Sequence, residues 1–189
     1  MEATKTRQPR RFTVDDYYRM AEAGILRPED GVELIEGQIV EKALIGSPHA
    51  WSVDSLTRLL VPAVGDRAIV RVQGPVRLDD FSEPEPDLSL LRPEKGRYHS
   101  SHPVPEDVFL LIEVADTTAL FDRSLKLPLY ARSGIREYWL VDLRRQIVEI
   151  YRSPKVETYS ELQEARPGTV IAPEAFPDVV FDAGDVLSP

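Results

Sequence analysis

Hydrophobic and polar positions alternate with two different periods along this chain, and the longest apolar block lies near its middle. Val108-Phe109-Leu110-Leu111-Ile112 is continuous, branched and aromatic, as expected of a strand buried on both faces. It ends on Glu113, a carboxylate that burial makes costly unless it is paired, protonated or bound to a metal. Asp122 offers an N-cap, Arg123 to Ser133 has helical spacing, and Gly134 closes the segment. Glu137 to Asp142 is a second strand of the buried kind. Strand, crossover helix and strand predict a βαβ unit, with functional groups gathered where strands end and helices begin. Glu113 and Lys126 both fall there. Pro128 is awkward inside the helix, because it removes a hydrogen bond, and predicts a kink or a tightened first turn.

Upstream, Thr13 and Asp16 form a box-like start for a helix over Val14 to Ala23 that stops at Gly24. Pro28 to Gly31 is a turn. Val32 to Glu36 and Gln38 to Leu44, joined at Gly37, predict a hairpin, whose Glu33 and Glu41 point into water by default. Ser47 as cap and Pro48 at the first position open a helix to about Val64, with Val53, Leu56, Leu60 and Val64 as its buried stripe. Ala68 to Gln73 reads as a strand and Val76 to Leu78 as its candidate continuation. Asp79 to Pro86 is an acidic loop, Asp87 to Leu91 a short strand, and Arg92 to Glu106 a long polar segment, a candidate mobile flap. After the central unit, Ile147 to Tyr151 pairs back and Val156 to Tyr159 adds a strand. The Pro-containing tail reads as edge strands and turns. The expected class is α/β with a mixed central sheet.

Length and composition narrow the functional classes. A chain of 189 residues favours one domain and buries enough surface, about 70%, to fold without a staple. The absence of cysteine excludes a disulfide scaffold, a thiolate zinc site and a cysteine nucleophile. No apolar stretch is long enough to span a membrane and the first residues lack a signal-peptide core, so the expectation is a soluble, cytoplasmic protein without a membrane partner. A net charge of −9 argues against non-specific coating of nucleic acid, but not against an enzyme whose metal site adds carboxylates. Residues 1–12 run against the trend, with Lys5, Arg7, Arg10 and Arg11 against Glu2. They are expected to form a flexible basic arm ahead of a single domain over 13–189.

Asp87 opening one apolar strand and Glu113 closing another are the chemical candidates. Two carboxylates at neighbouring strand tips can hold a hard divalent ion, with water and substrate phosphate completing its shell, and a nearby lysine suits phosphodiester hydrolysis. The alternative is carboxylates that only cap or pair, and Glu36, Glu85 and Asp116 stand close enough to replace them in another register.

The segments VELIEGQIVE, GSPHA, PEPDLSLL, LLIEVADTT, DRSLKLPLYARSGI and EYWLVDL, in order over Phe12 to Tyr151, resemble the Uma2 family of endonucleases within the PD-(D/E)xK restriction-endonuclease-like superfamily. The resemblance implies a mixed, four- or five-stranded sheet flanked by helices, and metal-dependent cleavage of nucleic acid, DNA foremost. It implies Asp87 and Glu113 as ligands of Mg²⁺ or Mn²⁺, the Val114 carbonyl as a further ligand, Glu33 as an acidic residue from the hairpin, and His49 as a neighbour. Ala115 stands where the superfamily motif has its lysine; the resemblance implies that Lys126 on the following helix takes that role, near enough to reach back to the strand tip. Glu33, Asp87, Glu113 and Lys126 form the expected catalytic set. Arg71, Arg77 and Arg123 are candidate phosphate contacts, and a homodimer suits cleavage of two strands. Two rival readings stay open: a binding module on the same fold that lacks catalysis, and a metal-independent hydrolase using Glu33 and Glu113 as acid and base.

Overall fold

The computed structural model describes residues 9–94 and 96–188; most of the basic arm lies outside the described residues. Its helices and strands are α1 (Val14–Glu22), β1 (Val32–Ile35), β2 (Gln38–Glu41), α2 (Ser47–Val64), β3 (Ile69–Val72), β4 (Leu88–Leu91), β5 (Val108–Ala115), α3 (Ala119–Phe121), α4 (Leu127–Arg132), β6 (Glu137–Asp142), β7 (Ile147–Pro154), β8 (Tyr159–Ala165), β9 (Val170–Ile171), β10 (Phe181–Asp182) and α5 (Gly184–Leu187). The central sheet has six strands in the order β3-β4-β5-β6-β7-β8, one more than the largest sheet expected. Only the β5–β6 pair is parallel, as a crossover through α3 and α4 requires. Among the described residues no helix is long and apolar enough to cross a membrane.

The apolar alternation of β5 explains why the sheet has two covered faces. Leu110, Ile112 and Val114 join one core with Val53, Leu56 and Leu60 of α2 and with the C-terminal segment; Leu111 and Ala115 join a second core with Leu129, Tyr130 and Ala131 of α4. Trp139 is fully buried in the first core, where its indole N–H donates to Glu137. Val76 and Leu78 do not prolong β3. They turn into the second core, and Val76 donates to the Pro84 carbonyl.

Thr13 and Asp16 make the reciprocal capping box predicted for α1. Helix α2 ends as expected, but Gly46 rather than Ser47 takes the cap position. The strand expected over Val156 to Tyr159 lies further on, at β8, because β7 runs to Pro154 and residues 155–158 make the turn. Strand β8 is an edge, exposed along its middle and carrying Glu161 and Glu164, so it lacks a buried-strand pattern and resists pairing with another chain. The last apolar piece is a helix and not an edge strand: α5 packs on α2, where the Ser52 hydroxyl donates to the Val186 carbonyl.

The largest departure surrounds Asp122. The helix begins upstream at Ala119, so Asp122 lies inside it and is not its cap. Residues Asp122 to Lys126 form a π turn in which the Leu127 N–H donates to the Asp122 carbonyl, and α4 follows with Pro128 in its first turn. The turn before proline is therefore widened, where a tightened turn or kink was expected. The widening accommodates a residue that can neither donate nor fit against the carbonyl four positions back. Of the long segment before β5, the Pro103 carbonyl accepts from Arg77 N–H and His102 stacks on Tyr18. At the hairpin turn, Arg11 bonds the Glu36 carbonyl and lies over Phe81.

Candidate active site

Sheet register sets the site. Leu88 faces Ile112 across the antiparallel β4–β5 pair, so one step further Asp87 stands beside Glu113. The N–H of Val114 donates to Asp87 Oδ2 at 2.8 Å, and His49 at the start of α2 meets the same oxygen at 3.0 Å. A strand residue directs its N–H and C=O to the same edge, so the Val114 carbonyl also faces Asp87. Glu113 lies inside β5, two residues before its end, and is buried. Its Oε1 accepts from Lys126 Nζ at 2.9 Å and from the Tyr130 hydroxyl at 2.6 Å, both carried by the crossover helix.

The hairpin contributes the third acid. Glu33 does not point into water as a strand carboxylate does by default: it is 3% exposed, whereas Glu41 is exposed. The acidic loop folds over it, with Glu83 N–H on the Leu34 carbonyl and Glu85 N–H on Glu33 Oε2. Lys126 Nζ lies 3.2 Å from Glu33 Oε1. The structure thus brings Glu33, Asp87, Glu113, Lys126 and His49 together. Asp122 belongs to the same cluster, and its burial among acids carries no sequence signal beyond its four-residue spacing to Lys126.

Electrostatics follow from crowding acids around one buried ammonium. Burial disfavours the Lys126 charge, but Glu113, Glu33 and Asp122 outweigh it and hold the lysine above its ordinary range. Burial pushes Glu113 up to about 8, with Lys126 opposing and Asp87, Asp122 and Glu33 adding. Asp122 is raised to about 6, again by burial first. His49 is raised by its hydrogen bond to Asp87, against burial.

The donor set fits a hard cation. Among the described residues, Asp87 Oδ1 and Glu113 Oε2 accept no hydrogen bond, while the other oxygen of each is fixed by the protein. No three acidic or histidine side chains among the described residues converge on one point, since Lys126 stands between Glu33 and Glu113. Two carboxylates are enough for Mg²⁺, which keeps several waters.

The three arginines lie elsewhere or are engaged. Arg123 donates two bonds to Glu149 and one to Asp142, both acids nearly fully buried, so its guanidinium is consumed inside the fold. Arg77 pairs with Asp80 and Asp15 at the surface. Arg71, on β3 opposite Ser89, lies over the Tyr98 ring and bonds the Pro75 carbonyl.

With this geometry established, the chain can be placed among known proteins. A sheet with a parallel β5–β6 pair joined by a crossover helix, carrying acids on adjacent strands and a lysine on that helix, defines a restriction-endonuclease-like fold. The chain belongs to the Uma2 family, whose model, described as "Putative restriction endonuclease", matches residues 14–184. A solved structure from Anabaena variabilis ATCC 29413, titled a "putative nuclease belonging to DUF820", shares the fold with a TM-score of 0.72 at 18% identity, over 93% of this chain and 97% of that one. No curated protein matches.

Two consequences can be measured. Arg123→Ala leaves buried Glu149 and Asp142 short of a counter-charge, and chemical denaturation is expected to show a loss of roughly 2–4 kcal/mol. Glu113 has an ordinary value of 4.5 and a folded one of about 8, so the folded chain binds a proton that the unfolded chain releases. Its contribution to stability is full below the ordinary value and is lost as pH rises through about 8. Glu113→Gln removes this dependence, and the melting-temperature advantage of the variant over wild type should be larger at pH 9 than at pH 5.

Proposed function

We propose that this protein is a divalent-metal-dependent endonuclease that hydrolyses phosphodiester bonds in nucleic acid, DNA foremost, in the cytoplasm. The observation that carries the reading is the side-by-side placement of Asp87 and Glu113, each with one oxygen held by the protein and the other free of hydrogen bonds, next to a buried lysine. Asp87, Glu113 and the Val114 carbonyl would hold Mg²⁺ or Mn²⁺, which when bound supplies Lewis-acid activation of water and charge neutralisation at phosphate.

The side chains divide the remaining work. Lys126 is held protonated by the surrounding acids, which suits a donor that orients the attacking water and offsets charge building on phosphate, and does not suit a general base. Val114 N–H and His49 fix the rotamer of Asp87. Tyr130 fixes Glu113. Glu33 holds the hairpin and Lys126 to the site. With Arg123 paired internally, Arg71 and the basic N-terminal arm are the candidates to contact phosphate. A duplex substrate would further call for a homodimer, with two sites related by a two-fold axis.

A second reading, a nuclease fold that binds nucleic acid without cutting it, is favoured by the double pairing of Lys126 with Glu33 and Glu113. Cleavage separates the two. Under Mn²⁺, Asp87→Ala is expected to lower cleavage of DNA by roughly 10²-fold or more while leaving the fold intact by circular dichroism. Equal rates for wild type and variant would refute the assignment. Because Glu113 must give up its proton to bind a cation, Mn²⁺ affinity measured by calorimetry should rise with pH up to about 8 and then level.

A further inference from the structure

Asp122 is 3% exposed; Thr118 hydrogen-bonds its carboxyl, but its buried Oδ2 has no hydrogen-bond partner among the described residues. A buried acceptor left without a donor is costly, and such groups persist where another state of the molecule uses them. It stands four residues before Lys126 on the same helix, across the π turn, so the two side chains project from one face. The two charges act on one another, yet the ammonium makes its ion pairs elsewhere, with Glu33 and Glu113.

Lys126 cannot keep both pairs if a divalent cation shares Glu113. The ammonium lies 2.9 Å from Glu113 Oε1, and a dication on the other oxygen of that carboxylate would repel it at short range. A flexible four-carbon stem lets the charge move while its backbone stays fixed. We infer that Asp122 is a positioning residue for Lys126: with a divalent cation bound, the ammonium leaves Glu113 and donates to Asp122 Oδ2. Tyr138, whose buried hydroxyl is also without a partner and is raised by burial first and then by the Asp122 charge, is the competing donor for that oxygen. The inference rests on the metal-dependent reading above.

The test uses the full chain with Mn²⁺. Crystals of the wild type with Mn²⁺, located by anomalous scattering, are expected to show Lys126 Nζ within about 3.2 Å of Asp122 Oδ2. Mn²⁺ bound with Nζ still between Glu33 and Glu113 overturns the inference and leaves the nuclease reading standing. Wild type that takes up no Mn²⁺ overturns both. In solution, Asp122→Asn is expected to keep Mn²⁺ affinity within about threefold while slowing single-turnover cleavage about 30-fold or more, and adding Lys126→Ala should cost little beyond that. A loss of Mn²⁺ affinity above about tenfold would make Asp122 a ligand, and an equal slowing by Tyr138→Phe would make its role structural; either outcome overturns the inference.

Discussion

The arrangement depends on one buried ammonium. Lys126 joins the hairpin through Glu33, the central strand through Glu113, and its own helix through the field of Asp122. Acids this deeply buried repel one another and resist ionisation, and a single positive charge between them makes the cluster tolerable. It does not make the cluster comfortable: burial still raises Glu113 to about 8 and Asp122 to about 6. A fold that keeps four acids on one lysine and one histidine gives up stability, a cost that the proposed cation site would account for.

The supports of this cluster differ in kind. Asp87 is held from two directions, by the Val114 N–H on the neighbouring strand and by His49 from α2. Glu33 is held by the loop that folds over its hairpin. Arg123, close in sequence to Lys126, turns the other way and joins Asp142, Glu149 and Arg145 in a separate network that ties the helix to β6 and β7. The two networks show how adjacent basic residues on one helix are divided between anchoring the scaffold and serving the site.

Much of this was legible in the sequence. The buried strands, the capping box on α1, the α2 stripe and the hairpin all have local signatures, because periodicity and turn chemistry are properties of neighbouring residues. Edge strand β8 and the short C-terminal helix were not, since a polar edge and a four-residue helix carry too little pattern. The expected site residues Glu33, Asp87, Glu113, Lys126 and His49 stand together, though the residues alone left Glu33 facing water and only the family resemblance drew it inward. Asp122 read as a cap because aspartate before a helical run is the usual cap signal; the upstream extension of the helix that buries it depends on packing against the second core.

The sequence by itself determined the apolar strands, the order acid–acid–lysine along the chain and the absence of any thiol chemistry. Those follow from composition and from periods of two and 3.6 residues. Only the tertiary structure decided which carboxylates share one space, which oxygen of each is occupied, and which arginines are consumed inside the fold. Strand register and helix placement set those distances, and the charge state of a buried group depends on what lies within a few ångströms of it, not on what lies beside it in the chain.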